Sequence, residues 1–483
     1  MHEEELRYRQ IHLDYHTSEC IDGVGANFDP DEFAHTLKKA AVDSITVFGR
    51  CHHGWLYYDS KVFPERLHPH LANKNLLPDQ IKACHKAGIR APIYLTIQWD
   101  NYTFQNHPDW MTMEPSGKLT GTELYQPGFY NPLCVNSPFR QFMQDHIAEV
   151  YDMMPVDGLF LDIVQVIDCS CHYCQEGMKK GGFDASDTNQ RWAYAKDMLD
   201  GWKRETSKFI RSFDKDATIF YNAGHVGPHC REIAPAYSHW ELESLPAGGW
   251  GYLHFPATQR YARNLGIDTM GMTGKFHTSW GDFHSYKNQP ALEFECLQMV
   301  ALNAKCSIGD QLPPDGKICK HTYDLIGSVY RTVEQMEPWC RKAEAVVDIG
   351  VFCVEEFIEQ RNFTVPMPMM GLVRMLQEGG HQFDVIDSKS PLAKYNVLIL
   401  PDTITVDAAL AAKLAKYVAG GGKLLASYKS GLNEAGDAFF KSLGVEFVDD
   451  APFSPDFIVP KGGVGKGLPA VEHVMYRKGL LVK

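Results

Sequence analysis

Short apolar runs alternate with helix-like segments from the start of the chain to about residue 340, which is the pattern of repeated strand-helix units. The runs predict strands at Gln10–His16, Ser44–Arg50, Arg90–Ile97, Gly158–Ile163, Thr218–Asn222, Tyr237–Leu245, Asp268–Thr273 and Lys305–Asp310. Eight parallel strands are the number that closes a (β/α)8 TIM barrel. Between them, Asp31–Ala41 carries acids in its first turn and lysines late, as a helix dipole favours, and Pro138–Tyr151 is a second helical segment. An open doubly wound sheet would want a glycine-rich phosphate loop after its first strand, and Asp14-Tyr-His-Thr-Ser offers none.

Near Glu344 the texture changes. Val346-Val-Asp-Ile-Gly-Val-Phe-Cys353, Phe383-Asp-Val-Ile386, Asn396-Val-Leu-Ile-Leu-Pro401 and Gly420-Gly-Gly-Lys-Leu-Leu-Ala-Ser427 are further apolar runs with helical stretches between them. They predict a smaller three-layer α/β/α unit with a parallel sheet and no nucleophile at its strand tips. The expected organisation is α/β throughout, with a barrel over 1–343, the smaller unit over 344–450 and an unassigned segment over 451–483. That last segment stops without a polar tail, as a chain cut short would.

Composition narrows the function classes. A chain of 483 residues, 44% hydrophobic and 22% charged, suits two or three globular domains. The net charge of -13, with Lys and Arg scattered, argues against nucleic acid or an anionic membrane as partner. The amino terminus has neither the basic start nor the apolar middle of a secretory signal, and no run of about 18 apolar residues could span a bilayer. Thirteen cysteines without framework spacing fit a reducing compartment, so a cytoplasmic location is expected.

Candidate chemistry gathers at the predicted strand tips. Val156-Asp-Gly-Leu-Phe-Leu-Asp162 is an apolar strand that ends in a carboxylate, the position where barrels place catalytic groups, although such an Asp can also cap the next helix. In His239-Trp-Glu241-Leu-Glu243, two glutamates two residues apart share one side of a strand at different depths. Glu243 lies nearer the mouth and is the expected general acid/base. Glu241 is held in reserve, and whichever glutamate is not catalytic would anchor hydrogen bonds. His12, Asp14 and His16 alternate on the first strand, His52 and His53 follow the second, and Trp99, His277 and Trp280 lie after the third and seventh. Indole faces pack on sugar rings while His and Asp bond hydroxyls, so this lining suits a polyhydroxylated small ligand.

Two carboxylates at separate tips, ringed by His and Trp, fit glycoside hydrolysis. No cofactor and no catalytic metal are called for. The spacing of His12, Asp14 and His16 leaves a zinc site as the competing reading. Separately, Cys169-Ser-Cys171-His-Tyr-Cys174 offers three thiols of a structural zinc site, with His172, Cys134 or Cys230 as the open choices for a fourth ligand.

Six ordered strings carry a family likeness: Gln10-Ile-His-Leu-Asp-Tyr-His-Thr17, Cys51-His-His-Gly54, Gly158-Leu-Phe-Leu-Asp-Ile163, Glu241-Leu-Glu-Ser-Leu-Pro246 with Gly248-Gly-Trp-Gly-Tyr252, Gly274-Lys-Phe-His-Thr-Ser-Trp-Gly-Asp282 and Cys306-Ser-Ile-Gly-Asp-Gln311. Residues 9–340 resemble the barrel of the bacterial α-L-fucosidases of glycoside hydrolase family 151, which overlaps hypothetical glycosyl hydrolase family 6. The His-His-Gly-aromatic string is also similar to one in the family 29 fucosidases. These resemblances imply a fucosylated glycan as substrate, Asp162 as nucleophile, His52 and His53 on the fucose hydroxyls, and His12 assisting. Residues 345–450 resemble the β-galactosidase trimerisation domain, a glutamine-amidotransferase-like fold without its cysteine, which implies a homo-oligomer, a trimer or a multiple of it. Proteins of that kind continue into a β-rich C-terminal domain beyond the last residue here. The rival expectations are a β-galactosidase or other exo-glycosidase, and a non-catalytic sugar-binding barrel.

Overall fold

A computed structural model describes residues 6–121, 131–359, 364–463 and 465–483. The chain divides into two compact units, one of residues 1–226 with 230–344, the other of 345–483 with 227–229. In the first, eight strands run parallel: β1 (Arg9–Asp14), β2 (Ser44–Arg50), β3 (Ile93–Thr96), β4 (Gly158–Asp162), β5 (Thr218–Tyr221), β6 (His239–Glu243), β7 (Asp268–Gly274) and β8 (Lys305–Gln311). Their order is β5-β4-β3-β2-β1-β8-β7-β6, and helices such as Phe139–Met153 and Thr188–Phe213 connect them. At the β5/β6 seam Ser238 closes the ring: its N–H donates to Ile219 O at 3.0 Å, and its Oγ accepts the Ile219 N–H at 2.7 Å.

The strands are buried on both faces, as parallel strands under helices must be. Inside the barrel, Phe48, Tyr94, Phe160 and Phe220 sit side by side in register across β2 to β5. The Phe48 and Tyr94 rings stack at 3.8 Å, which builds an aromatic floor beneath the strand tips. Close strand packing needs Gly158, where a Cβ would lie 1.9 Å from Thr218 Oγ1.

The second unit holds a four-stranded parallel sheet, β9 (Ile349–Phe352), β10 (Phe383–Ile386), β11 (Val397–Leu400) and β12 (Lys423–Ala426), in the order β10-β9-β11-β12. Helices Met367–Glu378 and Ala408–Ala419 accompany it, and two short antiparallel strand pairs follow after residue 446. No helix among the described residues is long and apolar enough to cross a membrane.

Candidate active site

Strand β4 carries Asp162 to the carboxyl end of the barrel, where Ile163 adopts a φ of +55° as the chain turns out. Neighbouring β3 pairs Thr96 with Asp162 and Tyr94 with Phe160, so both β3 residues point at the acid from one strand. Tyr94 Oη donates to Asp162 Oδ2 at 2.5 Å. Thr96 sets the state of the next group. Its single hydroxyl hydrogen goes to Trp99 O at 2.6 Å, so Oγ1 accepts from His52 Nδ1, 2.8 Å away. Burial, with the His16, His53 and Arg50 side chains nearby, pushes the His52 pKa well below its usual value. His52 is therefore neutral with Nε2 as its acceptor, 3.7 Å from Asp162 Oδ2.

Asn222 follows β5 directly. Its Oδ1 accepts the Gly224 N–H at 3.0 Å, which fixes the orientation of the amide. Its Nδ2 then donates to Asp162 Oδ1 at 2.9 Å and to Glu243 Oε2 at 3.0 Å. Two oxygens at 2.9 Å and 3.0 Å from one nitrogen are at most 5.9 Å apart. Glu243 Oε1 accepts from Trp280 Nε1 at 2.9 Å. Burial raises the Glu243 pKa against the pull of the Trp280 and Asn222 donors, and the Asp162 and Asp14 carboxylates raise it further. The site thus has one carboxylate served by Tyr94 and Asn222, and a second carboxyl group biased toward keeping its proton.

The first two strands line the other side. β1 ends at Asp14, two residues earlier than the sequence pattern predicts, and His16 lies just past it, with Nε2 2.9 Å from Asp14 Oδ1. The His16 ring stacks on His52 at 4.0 Å, and Trp99 meets His52 edge-on at 5.1 Å. His12 packs against Phe160 at 4.7 Å and Trp280 at 5.1 Å, and its buried Nδ1 has no hydrogen-bond partner among the described residues. His53 Nδ1 lies 3.8 Å from Glu19 Oε2, which also accepts from Trp55 Nε1.

Two sequence candidates fall elsewhere. Glu241 lies one layer deeper, accepting from Gln10 Nε2 at 3.1 Å and paired with His239 Nε2 at 3.0 Å. It is an anchor in the barrel base, partnered by its own strand and β1 instead of by the tip histidines. His277 is exposed on the β7 loop, outside the buried cluster, with its backbone N–H on Ser285 Oγ. His12, Asp14 and His16 do not form a metal site either: Asp14 is engaged by His16, and His12 is wedged among aromatic rings. Among the described residues, the donor atoms that converge closely enough for a metal belong to Cys134, Cys169, Cys171 and Cys174. Sequence reasoning missed Tyr94, Thr96 and Asn222. A polar residue closing an apolar strand was a usable signal for Asn222, whereas Tyr94 reads as core.

The profile described as hypothetical glycosyl hydrolase 6 matches residues 29–163, and that of a β-galactosidase trimerisation domain matches 368–445. No curated protein matches the chain. Among solved structures, the chain is similar to α-L-fucosidase isoenzyme 2 from Paenibacillus thiaminolyticus, with 38% sequence identity and a TM-score of 0.94 over 99% of this chain and 72% of that one. It is also similar to the β-galactosidases of Rahnella sp. R3 and Bacillus circulans sp. alkalophilus, each 14% identical over 99% of this chain and 81% of theirs, with TM-scores of 0.73 and 0.72. At that identity the likeness is one of fold alone.

Proposed function

Because this chain belongs to the bacterial α-L-fucosidase family that its motifs resemble, and is a glycoside hydrolase, we propose that it is a retaining exo-α-L-fucosidase acting on fucosylated glycans. Asp162 attacks the anomeric carbon to form a fucosyl-enzyme, while Glu243 gives its proton to the departing glycosidic oxygen. Glu243, now a carboxylate, takes a proton from water, whose oxygen displaces Asp162 and releases fucose with retained configuration. The Asn222 bridge carries this reading. A ceiling of 5.9 Å between the nearest carboxylate oxygens accommodates the roughly 5–5.5 Å of retaining enzymes and lies below the roughly 6.5–9.5 Å that an inverting enzyme needs for its water.

Other features support the substrate. The neutral His52 presents an acceptor to a sugar hydroxyl, with His16 and His53 beside it. The orphaned His12 Nδ1 is a further polar atom for the sugar, and the rings of Phe160 and Trp280 around it suit the methyl group of a 6-deoxy sugar. No cofactor enters the reaction. A homo-oligomer, a trimer or a multiple of it, and a reducing, cytoplasmic setting belong to the same reading; the trimerisation-type match supports the first, and thirteen cysteines without framework spacing support the second.

The trimerisation-type match also favours a second reading, a β-galactosidase. Assay of the purified chain on an aryl α-L-fucoside and an aryl β-D-galactoside separates the two, with the anomer of the first product read by NMR. Turnover of the fucoside to the α-anomer is expected. Cleavage of the galactoside alone would overturn the fucosidase reading, and a β-fucose product would overturn the retaining mechanism.

A further inference from the structure

Four cysteines that the proposed reaction does not use converge from three segments of the chain. Cys134 lies in the loop after β3, Cys169 and Cys171 in the loop after β4, and Cys174 in the first turn of the helix His172–Gly181. Their sulfur atoms all lie within 4.8 Å of one another, and Cys134 Sγ and Cys174 Sγ are 3.4 Å apart. Each thiol is at most 5% exposed, in a pocket shared with Met178 and Tyr194. Of the other possible fourth ligands, His172 is exposed and faces Glu176, and Cys230 packs in the main barrel core.

We propose that Cys134, Cys169, Cys171 and Cys174 bind one zinc ion as a closed, structural tetrathiolate site. A tetrahedral zinc with Zn–S bonds of about 2.3 Å sets its sulfurs about 3.8 Å apart, a spacing these four reach with small rotations. Binding converts four thiols to thiolates and releases four protons to solvent, leaving a net charge of −2 on the centre. Cys171 is the N-cap residue of the helix His172–Gly181, so the centre lies at a helix amino terminus, where the dipole favours negative charge. A cluster of several irons would hold the thiolates farther apart around its own sulfides, so the spacing selects a single ion.

The centre ties together the two loops that flank the acids. On one side, the Leu133 N–H donates to Gln98 O at 2.8 Å, next to Trp99. On the other, the Gln165 N–H, three residues after Asp162, donates to Gln98 Oε1 at 2.5 Å. Zinc is thus a positioning element: it holds the Trp99 wall against His52 and does not touch substrate.

Elemental analysis of the purified full-length chain tests this. About one zinc per chain is expected, with Cys134→Ser and Cys171→Ser each losing it and Cys230→Ser keeping it. Asp162→Gly should hold the same zinc, which separates this site from the proposed reaction. Should the serine variants fail to fold, the wild-type chain stripped by a mercurial and refilled with zinc chloride alone should regain its metal and its melting temperature. A metal-free chain that takes up no zinc, a Cys134–Cys174 disulfide, or iron with its visible thiolate absorption would each overturn the proposal.

Discussion

Asn222 has one amide nitrogen and two carboxylates to serve, 2.9 and 3.0 Å away. Asn222→Ala removes a donor that lowers the Glu243 pKa and a screen between two like charges, so the Glu243 pKa rises further above the ordinary carboxylate value. In the proposed mechanism Glu243 acts while protonated in the first step, so the alkaline limb of the pH–rate profile is expected at higher pH in this variant. Its kcat falls by about 10²-fold or more, because a preorganised donor is lost from the reacting carboxylates. Glu243→Gln abolishes that limb together with turnover of substrates that have poor leaving groups. Glu241→Ala acts on stability instead. It strips Gln10 and His239 of a buried acceptor at a cost of about 1–3 kcal/mol, read by denaturant unfolding, with kcat changed little. The difference in depth between the two glutamates was legible in the sequence through their spacing on one strand. The Asn222 bridge was not, since it depends on how the amide is turned by Gly224.

At the scale of elements, the eight strands were legible because each is an apolar run ending in polar residues, and errors gathered at their ends. β3 begins at Ile93 and not Arg90, because Pro92 has no N–H for the ladder and contributes only its carbonyl, to Val47 N. β1 stops at Asp14, whose carbonyl takes the last ladder bond from Leu312, and His16 turns back toward Asp14. The β8 strand has a role that no apolar pattern announces. Gly309 pairs with His12 of β1, and the Trp280 indole lies across it, so that a Cβ there would be 2.4 Å from the ring. Gly309→Ala displaces Trp280 and with it the 2.9 Å bond that holds Glu243 Oε1. A shift of order 1 Å in a catalytic group costs about 10²-fold in rate, so kcat on the aryl fucoside should drop by roughly that factor while circular dichroism stays that of the wild type.

At the scale of the whole molecule, the change of texture near Glu344 was legible as a second alternation of strands and helices, and the structure divides between Glu344 and Ala345. What that unit binds is a surface property, which alternation does not encode. On the helix Met367–Glu378, Val373 and Leu376 pack inward, while Met367 and Met375 are 76% and 70% exposed, with Gly371 between them at four-residue spacing. One helix face is therefore core, and the outward face carries a stripe of two exposed methionines beside the Arg374–Glu378 ion pair, at the start of the region that matches a trimerisation domain. If the chain self-associates there, two glutamates on the stripe place desolvated like charges in every copy of the contact, at several kcal/mol each. Met367→Glu with Met375→Glu should lower the mass seen by light scattering from a multiple of 54.5 kDa to that of one chain, without loss of helix. An unchanged oligomer would move the contact to another face of this unit, and a wild-type mass of 54.5 kDa would remove self-association from the reading.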